Sequence, residues 1–365
     1  MWLPVNTDAA TKADDSAATS GFAGAVDWSV AAKTGAKLAR KGPATSRYTA
    51  AAAVEELAAA SIRAEGPVRE TTGLADGLPV PDAQVVDRAG WIAAAASSMK
   101  HLTGDDDGTP PSGLLGGKPA GLQAGAMLAF LSSAILGQYD PFTGENGTLL
   151  LVAPNVIAVE RALRVSPSDF RLWVCLHEVT HRVQFSSAPW LGGYMRENVG
   201  VLSDGTDEPL TDVANRLTGA LKARKNPNGS SKSEDAGIVG LLRATQPQPQ
   251  RDAIDRLLVL GTLLEGHADH VMDAVGPAVV PTVTQIRGAF DQRRQRKVNP
   301  LQRVVRALLG MDAKMAQYVR GKAFVDHVVA TVGMERFNTV WTGPDTLPLL
   351  SEIEDPDAWI ARVLG

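Results

Sequence analysis

Four of the six histidines in this 365-residue chain fall in two tight groups. The first group lies in FRLWVCLHEVTHRVQF, residues 170–185, which contains the pattern HExxH with His177, Glu178 and His181 in its defining places. Residues four apart on a helix lie one turn above each other, so both imidazoles can bind one metal ion. Glu178 points aside, where it can act as the base for a zinc-bound water. The pattern predicts a Zn²⁺ site and a hydrolase.

The residues around this motif are apolar on most sides, which predicts a buried helix. Trp173 and Leu176 precede it and Phe185 follows it. Two buried imidazoles beside a carboxylate are costly unless a metal or hydrogen bonds satisfy them. The alternative interpretation is a satisfied pair of core histidines with Glu178 in a salt bridge.

A catalytic zinc site needs three protein ligands and an open position for water. The extended pattern HExxHxxGxxH is absent, because Gln184 and Ser187 occupy the places of its glycine and third histidine. The third ligand is therefore expected from the second histidine group, LLEGHADHVMD, residues 263–273.

Glu265 and Asp269 are four residues apart in this second group and share one helix face. The spacing favours Glu265 as the third ligand, with Asp269 orienting a motif histidine through a hydrogen bond. His270, His267 and Asp269 itself remain alternative ligands. Gly266 is expected to permit close approach of the two ligand helices. Candidate donors to the oxyanion of the reaction are His267, His270, Tyr194 and Tyr318.

The elements that must position these residues are predicted to be mainly helical. Helices are expected over residues 50–65, 87–102, 166–185, 251–275, 299–309 and 311–332, with a short one near Trp359. The segment TLLLVA, residues 148–153, is the one clear strand, and its edge is a candidate site for an extended peptide. The uncharged segment 119–139 is predicted to be a helix buried on all sides rather than a membrane span, because it is rich in Ala, Gly and Ser.

Composition narrows the class of protein. The net charge of −4 gives no overall attraction for nucleic acid or an anionic membrane. The basic run at residues 287–297 is interpreted as a solvated face, with local binding of phosphate or carboxylate as the alternative. One cysteine and a start without signal-peptide features predict a cytoplasmic protein. We expect a flexible tail over residues 1–23 and a single domain over 24–365, with a mobile polar insertion near 222–237.

The two ligand helices resemble the zincin superfamily of zinc metallopeptidases, in the branch where ExxxD supplies the third ligand. Glu265 lies 84 residues after His181, a longer spacing than in thermolysin-like members. More closely, the chain resembles a mainly actinobacterial family of zincin-like hydrolases, some of them labelled as associated with coenzyme F-420 biosynthesis. This resemblance rests on the segments QYDPF, APN, WVCLHEVTHRVQF, PWL, LEGHADHVMD, QYVRGKAF and DPDAWIARV.

The resemblance implies a mainly α fold with a small β component, in which the HExxH helix packs against a second ligand-bearing helix. It implies a zinc-dependent metallopeptidase or hydrolase acting on a peptide or other amide. No glycine-rich phosphate loop accompanies the coenzyme label, so the residues do not support deazaflavin binding. The alternatives are a non-catalytic zincin scaffold that binds a partner or small molecule, and a hydrolase of non-peptide amides or esters. The oligomeric state is not predicted.

Overall fold

The computed structural model describes residues 26–103, 117–203, 246–295 and 311–365. The expected tail at 1–23, the polar insertion near 222–237 and the helix predicted at 299–309 lie outside these residues. The side chain of Tyr318 and those of the basic run beyond residue 290 also lie outside the part described.

Helices form most of the described chain, which confirms the predicted mainly α class. Those before the HExxH segment are α1 (Trp28–Leu38), α2 (Arg47–Thr72), α3 (Arg88–Leu102), α4 (Lys118–Leu131) and α5 (Ala153–Leu163). The ligand helices and the next helix after each are α6 (Pro167–Ser187), α7 (Trp190–Ser203), α8 (Gln248–Val279) and α9 (Val283–Gln295). The last are α10 (Met311–Val332), α11 (Met334–Phe337), α12 (Leu350–Glu354) and α13 (Pro356–Leu364).

In the described part of the chain, three short strands form one sheet: β1 (Gln84–Val86), β2 (Gly137–Asp140) and β3 (Thr148–Val152). Their order is β1-β3-β2, with β1 parallel and β2 antiparallel to β3. The predicted strand at 148–153 is therefore confirmed as β3, but both of its edges are paired. The expectation that β3 offers an edge to a peptide is wrong, because β1 occupies one edge of β3 and β2 occupies the other. Among the described residues, β2 is paired on one side only.

The uncharged segment 119–139 is not one fully buried helix. It divides into α4 and β2, and α4 packs Gly121 and Gly125 against the backbone of α1, where a Cβ atom would approach oxygen atoms within 2.6 Å. The opposite face of α4 is exposed and carries Leu122, Met127 and Phe130. No helix in the described ranges combines the length and apolarity needed to cross a membrane.

Helix α6 lies at the centre of the largest core cluster, between α2, β3 and α8. A buried ion pair joins it to α2, because Arg182 contacts Glu65, which also pairs with Arg69 at 2.6 Å. Gly266 does not face α6, contrary to the expectation from sequence. A Cβ at Gly266 would lie 2.2 Å from the carbonyl carbon of Gly321, so this glycine permits close packing of α8 against α10.

Candidate metal centre

Three side chains meet where α6 packs against α8. The Nε2 atoms of His177 and His181 lie 3.2 Å apart. Glu265 Oε2 lies 3.3 Å from the first of these nitrogens and 3.8 Å from the second. The structure thus brings together one atom from each of the three residues that the sequence favoured as metal ligands, all within 4.8 Å of one another.

The surroundings of these atoms fit a bound cation. Glu265 Oε2 is buried and has no hydrogen-bond partner of acceptable geometry, although both imidazoles are near it. Buried polar atoms are rarely left without a partner unless an ion or water serves them. Two imidazole nitrogens and one carboxylate oxygen form a donor set that zinc prefers, and they leave a coordination position for water.

The carboxylates around these atoms also favour a positive charge at the centre. Burial lowers the pKa of His177, but the Glu265 carboxylate close to it and the negative charges of Glu178 and Asp269 outweigh this effect and raise that pKa to about 9. Burial raises the pKa of Glu265, but the two histidines overcome this effect and hold it well below its ordinary value. In the metal-free protein, a proton on His177 therefore supplies the positive charge that a metal ion would bring.

Glu178 lies beside the three converging atoms and is 7% exposed. Burial raises its pKa, assisted by Glu265 and opposed by the charges of His177 and His181. Its side chain occupies the space that a side chain on β2 would need, because a Cβ at Gly137 would lie 2.6 Å from Glu178 Cγ. Glycine at this position is what lets the carboxylate lie directly against the strand.

An amide bridge orients His181. Its Nδ1 lies 2.9 Å from Gln184 Oε1, while Gln184 Nε2 donates to the carbonyl of Leu264 at 2.9 Å and to Nδ1 of His267 at 3.0 Å. Rotating the amide by 180° would turn its oxygen toward the Leu264 carbonyl, so only the observed orientation is compatible with these partners. His181 therefore carries its proton on Nδ1 and presents the lone pair of Nε2 to the metal centre.

His267 is enclosed and serves this bridge. It is 0% exposed, and its ring lies 5.4 Å from the ring of Phe337 and 5.3 Å from that of Trp341. Burial lowers its pKa to about 3, with the charges of His270 and His181 acting in the same direction. A neutral, enclosed imidazole that accepts from Gln184 is neither in the metal cluster nor in reach of a substrate.

Asp269 does not form the hydrogen bond expected from sequence. The Nδ1 of His177 faces the Sδ of Met272 at 3.3 Å, and that of His181 faces Gln184. Asp269 instead pairs with Arg287 from α9 at 3.3 Å, and the same guanidinium pairs with Asp273 at 2.6 Å.

His270 is also held away from the cluster, since its Nδ1 lies 2.6 Å from Asp326 Oδ1 of α10. Tyr194 packs edge-on against Trp190 of its own helix, with ring centroids 5.8 Å apart. His270 is not among the three residues whose ligand atoms converge.

Sequence reasoning missed Gln184, Met272 and Gly137. The first two had a readable signal, since Gln184 lies three residues after His181 and Met272 lies seven after Glu265, each on the same helix face as the ligand. Gly137 had none, because its role depends on a strand that the sequence pattern did not reveal.

Comparisons with known proteins relate the chain to a family and to a solved structure. A family profile described as zincin-like metallopeptidase matches residues 26–360. The chain belongs to the zincin-like metallopeptidase family. Among solved structures, this zincin-like protein is similar to a "putative hydrolase with a novel fold" from Chloroflexus aurantiacus, at 29% identity and a TM-score of 0.62, over 92% of this chain and 98% of that one. A search of curated proteins found no match to this chain.

Proposed function

We propose that this zincin-like protein is a zinc-dependent peptidase. In this proposal His177, His181 and Glu265 hold Zn²⁺, and Glu178 is the general base. The observation that carries it is the convergence of three donor atoms from two helices, one of them a buried carboxylate oxygen without a hydrogen-bond partner. A buried carboxylate with a raised pKa lies next to them. This combination is typical of a hydrolytic site rather than of a structural ion pair.

Zinc, when bound, supplies a Lewis acid that polarises a carbonyl group and makes water acidic near neutral pH. The other steps belong to the chain. Glu178 accepts a proton from the attacking water, since burial raises its pKa and makes the carboxylate a stronger base. The same carboxyl group then delivers that proton to the leaving nitrogen. Gln184 keeps His181 in the tautomer whose Nε2 is free to bind, so this ligand needs no change of tautomer before metal binding.

The position of β2 supports an extended peptide as the substrate. Its backbone at Gly137 lies against Glu178, and β2 is paired only with β3 among the described strands. A peptide that added to the other edge of β2 would carry its amide groups past the base. A small non-peptide amide would make no use of this edge.

Two variants test the proposal on protein purified without chelators. Glu178→Gln is expected to keep bound zinc and to lose cleavage of a proteome-derived peptide library followed by mass spectrometry. His181→Ala is expected to lose zinc as measured by elemental analysis. Absence of metal from the wild type, together with unchanged folding of His181→Ala, would refute the metal site. Stoichiometric zinc without cleavage of any peptide would refute the peptidase and leave the non-catalytic scaffold and the hydrolase of non-peptide amides or esters.

A further inference from the structure

A cavity of about 310 Å³ opens near the proposed site, on its β2 side. Its walls come from β2 and the turn after it, the end of α6, the first turns of α7 and the loop at residues 78–81. The lining residues used below are Tyr139, Glu145, Phe185, Gly193 and Arg196.

Two elements lead from Glu178 to this cavity. Along β2, Tyr139 follows Gly137 by two residues on the same face of the strand, a distance of roughly 7 Å. Along α6, Phe185 follows Glu178 by seven residues, roughly 10 Å. The rings of Tyr139 and Phe185 meet with centroids 5.6 Å apart. The cavity therefore lies two to three peptide residues away from an amide held at Glu178.

Arg196 supplies positive charge at the cavity. Its guanidinium carbon lies 5.1 Å from the ring centroid of Phe142, and this stacking restricts the side chain. No carboxylate of the described residues forms an ion pair with it. Glu145 lines the same cavity and is exposed, but the two are not paired. A planar guanidinium held in this way is suited to bind a carboxylate through two parallel hydrogen bonds.

Helix α7 leaves room for a ligand beside Arg196. Two consecutive glycines, Gly192 and Gly193, occupy its first turn, although glycine is unfavourable in helices. A Cβ at Gly192 would lie 3.9 Å from the Phe142 ring, and one at Gly193 would have no atom within 4 Å. Gly193 thus faces open space at the cavity wall.

We propose that this cavity binds a carboxylate of the substrate, with Arg196 as its partner. The carboxylate belongs to an Asp or Glu side chain, or to the free C-terminus of the peptide, two to three residues from the cleaved amide. The inference rests on the proposed peptidase function, because the distance is counted from Glu178.

Binding is measured by fluorescence anisotropy with zinc-loaded Glu178→Gln, so that cleavage does not interfere. The probes are N-terminally labelled hexapeptides of alanine and serine in three forms. One is amidated with a single Glu scanned through the six positions, one is neutral with a free C-terminus, and one is neutral and amidated. At least one carboxylate peptide is expected to bind about tenfold or more tighter than the neutral amide. Preference for the first or second form identifies the source of the carboxylate.

Variants in the same background assign the effect. Arg196→Gln is expected to abolish the preference, whereas Arg47→Gln, which removes the same charge at the far end of α2, leaves it intact. Glu145→Gln is expected to strengthen carboxylate binding. Gly193→Leu is expected to weaken binding of all three forms by filling the cavity, while Gly193→Ala retains it. Circular dichroism checks that each variant is folded.

Equal binding of all three forms, no binding of any, or a preference that persists in Arg196→Gln would overturn the inference. The wild-type enzyme with the same peptides separates this inference from the proposed function. Carboxylate-selective binding without cleavage supports the cavity and refutes the peptidase. Cleavage without carboxylate selectivity supports the peptidase and refutes the cavity.

Discussion

Replacing Gln184 with Met tests whether its amide controls the metal centre. Met is close to Gln in size, so the change removes hydrogen bonds while leaving little space. The Nδ1–H of His181 and the Nδ1 of His267 both lose their partner in a buried setting. Each buried polar group left unsatisfied costs about 1–3 kcal/mol, so the free energy of unfolding should fall by about 2–6 kcal/mol.

Two measurements follow from that figure. With an unfolding entropy of about 2.1 cal/mol/K per residue, a chain of this length loses roughly 1.3 °C of melting temperature per kcal/mol, or about 3–8 °C in all. Zinc affinity should fall by about 10- to 100-fold, because His181 becomes free to rotate and to exchange tautomers. Calorimetry of the metal-free protein gives the first quantity, and competition with a chromophoric chelator gives the second.

Gln184→Glu separates the two effects. Its carboxylate still accepts from Nδ1 of His181 but donates to neither the Leu264 carbonyl nor His267. Zinc affinity is therefore expected to stay near the wild-type value while the melting temperature falls. If Gln184→Met binds zinc within twofold of the wild type, the amide does not orient the ligand, and the argument for its role fails.

Four further predictions concern the proton on His177, the strand β2 and the core. The pKa of His177 is about 9 without metal, so zinc must displace a proton at neutral pH. The apparent Kd for zinc should therefore fall about tenfold per pH unit from pH 7 to 9 and level off above pH 9. A pH-independent Kd in chelator competition would contradict this. The same raised pKa stabilises the metal-free fold below pH 6.5 and ceases to do so as the pH passes 9, which denaturant titrations can follow. Gly137→Ala should displace Glu178 and lower kcat/KM roughly 100-fold with unchanged zinc content, and full activity would show that the strand does not constrain the base. Glu65→Gln should destabilise the protein by about 3–5 kcal/mol, because Arg182 would remain buried without its charge partner; a denaturant midpoint near that of the wild type would argue against this.

The ligand helices could be predicted because their signals are local. The HExxH motif and the pair Glu265 and Asp269 each lie within two turns of one helix. The apolar residues around the motif indicate burial without knowledge of any partner. Predictions that depended on another element fared less well. Asp269 was placed on the correct face, but Arg287 arrives from a separate helix and takes its carboxylate.

The small strands illustrate the same limit. β1 and β2 have three and four residues, and each is defined by pairing with β3. Gln84 pairs with Leu150, a partner 66 residues away in the chain. A strand of three or four residues is too short for an alternation of polar and apolar residues to predict such a pairing. The contact between Gly137 and Glu178 was invisible for the same reason.

The proposed metal ligands also bear on the stability of the chain. His181 and Glu265 are separated by 84 residues, so a shared zinc ion would act as a reversible cross-link that closes this long loop. Since the unfolded chain does not hold the three donors together, an ion at 1,000 times its Kd would add about 4 kcal/mol to the free energy of unfolding. Scarcity of zinc would then reduce the amount of folded protein as well as its activity, which makes its lifetime in the cell a function of metal supply.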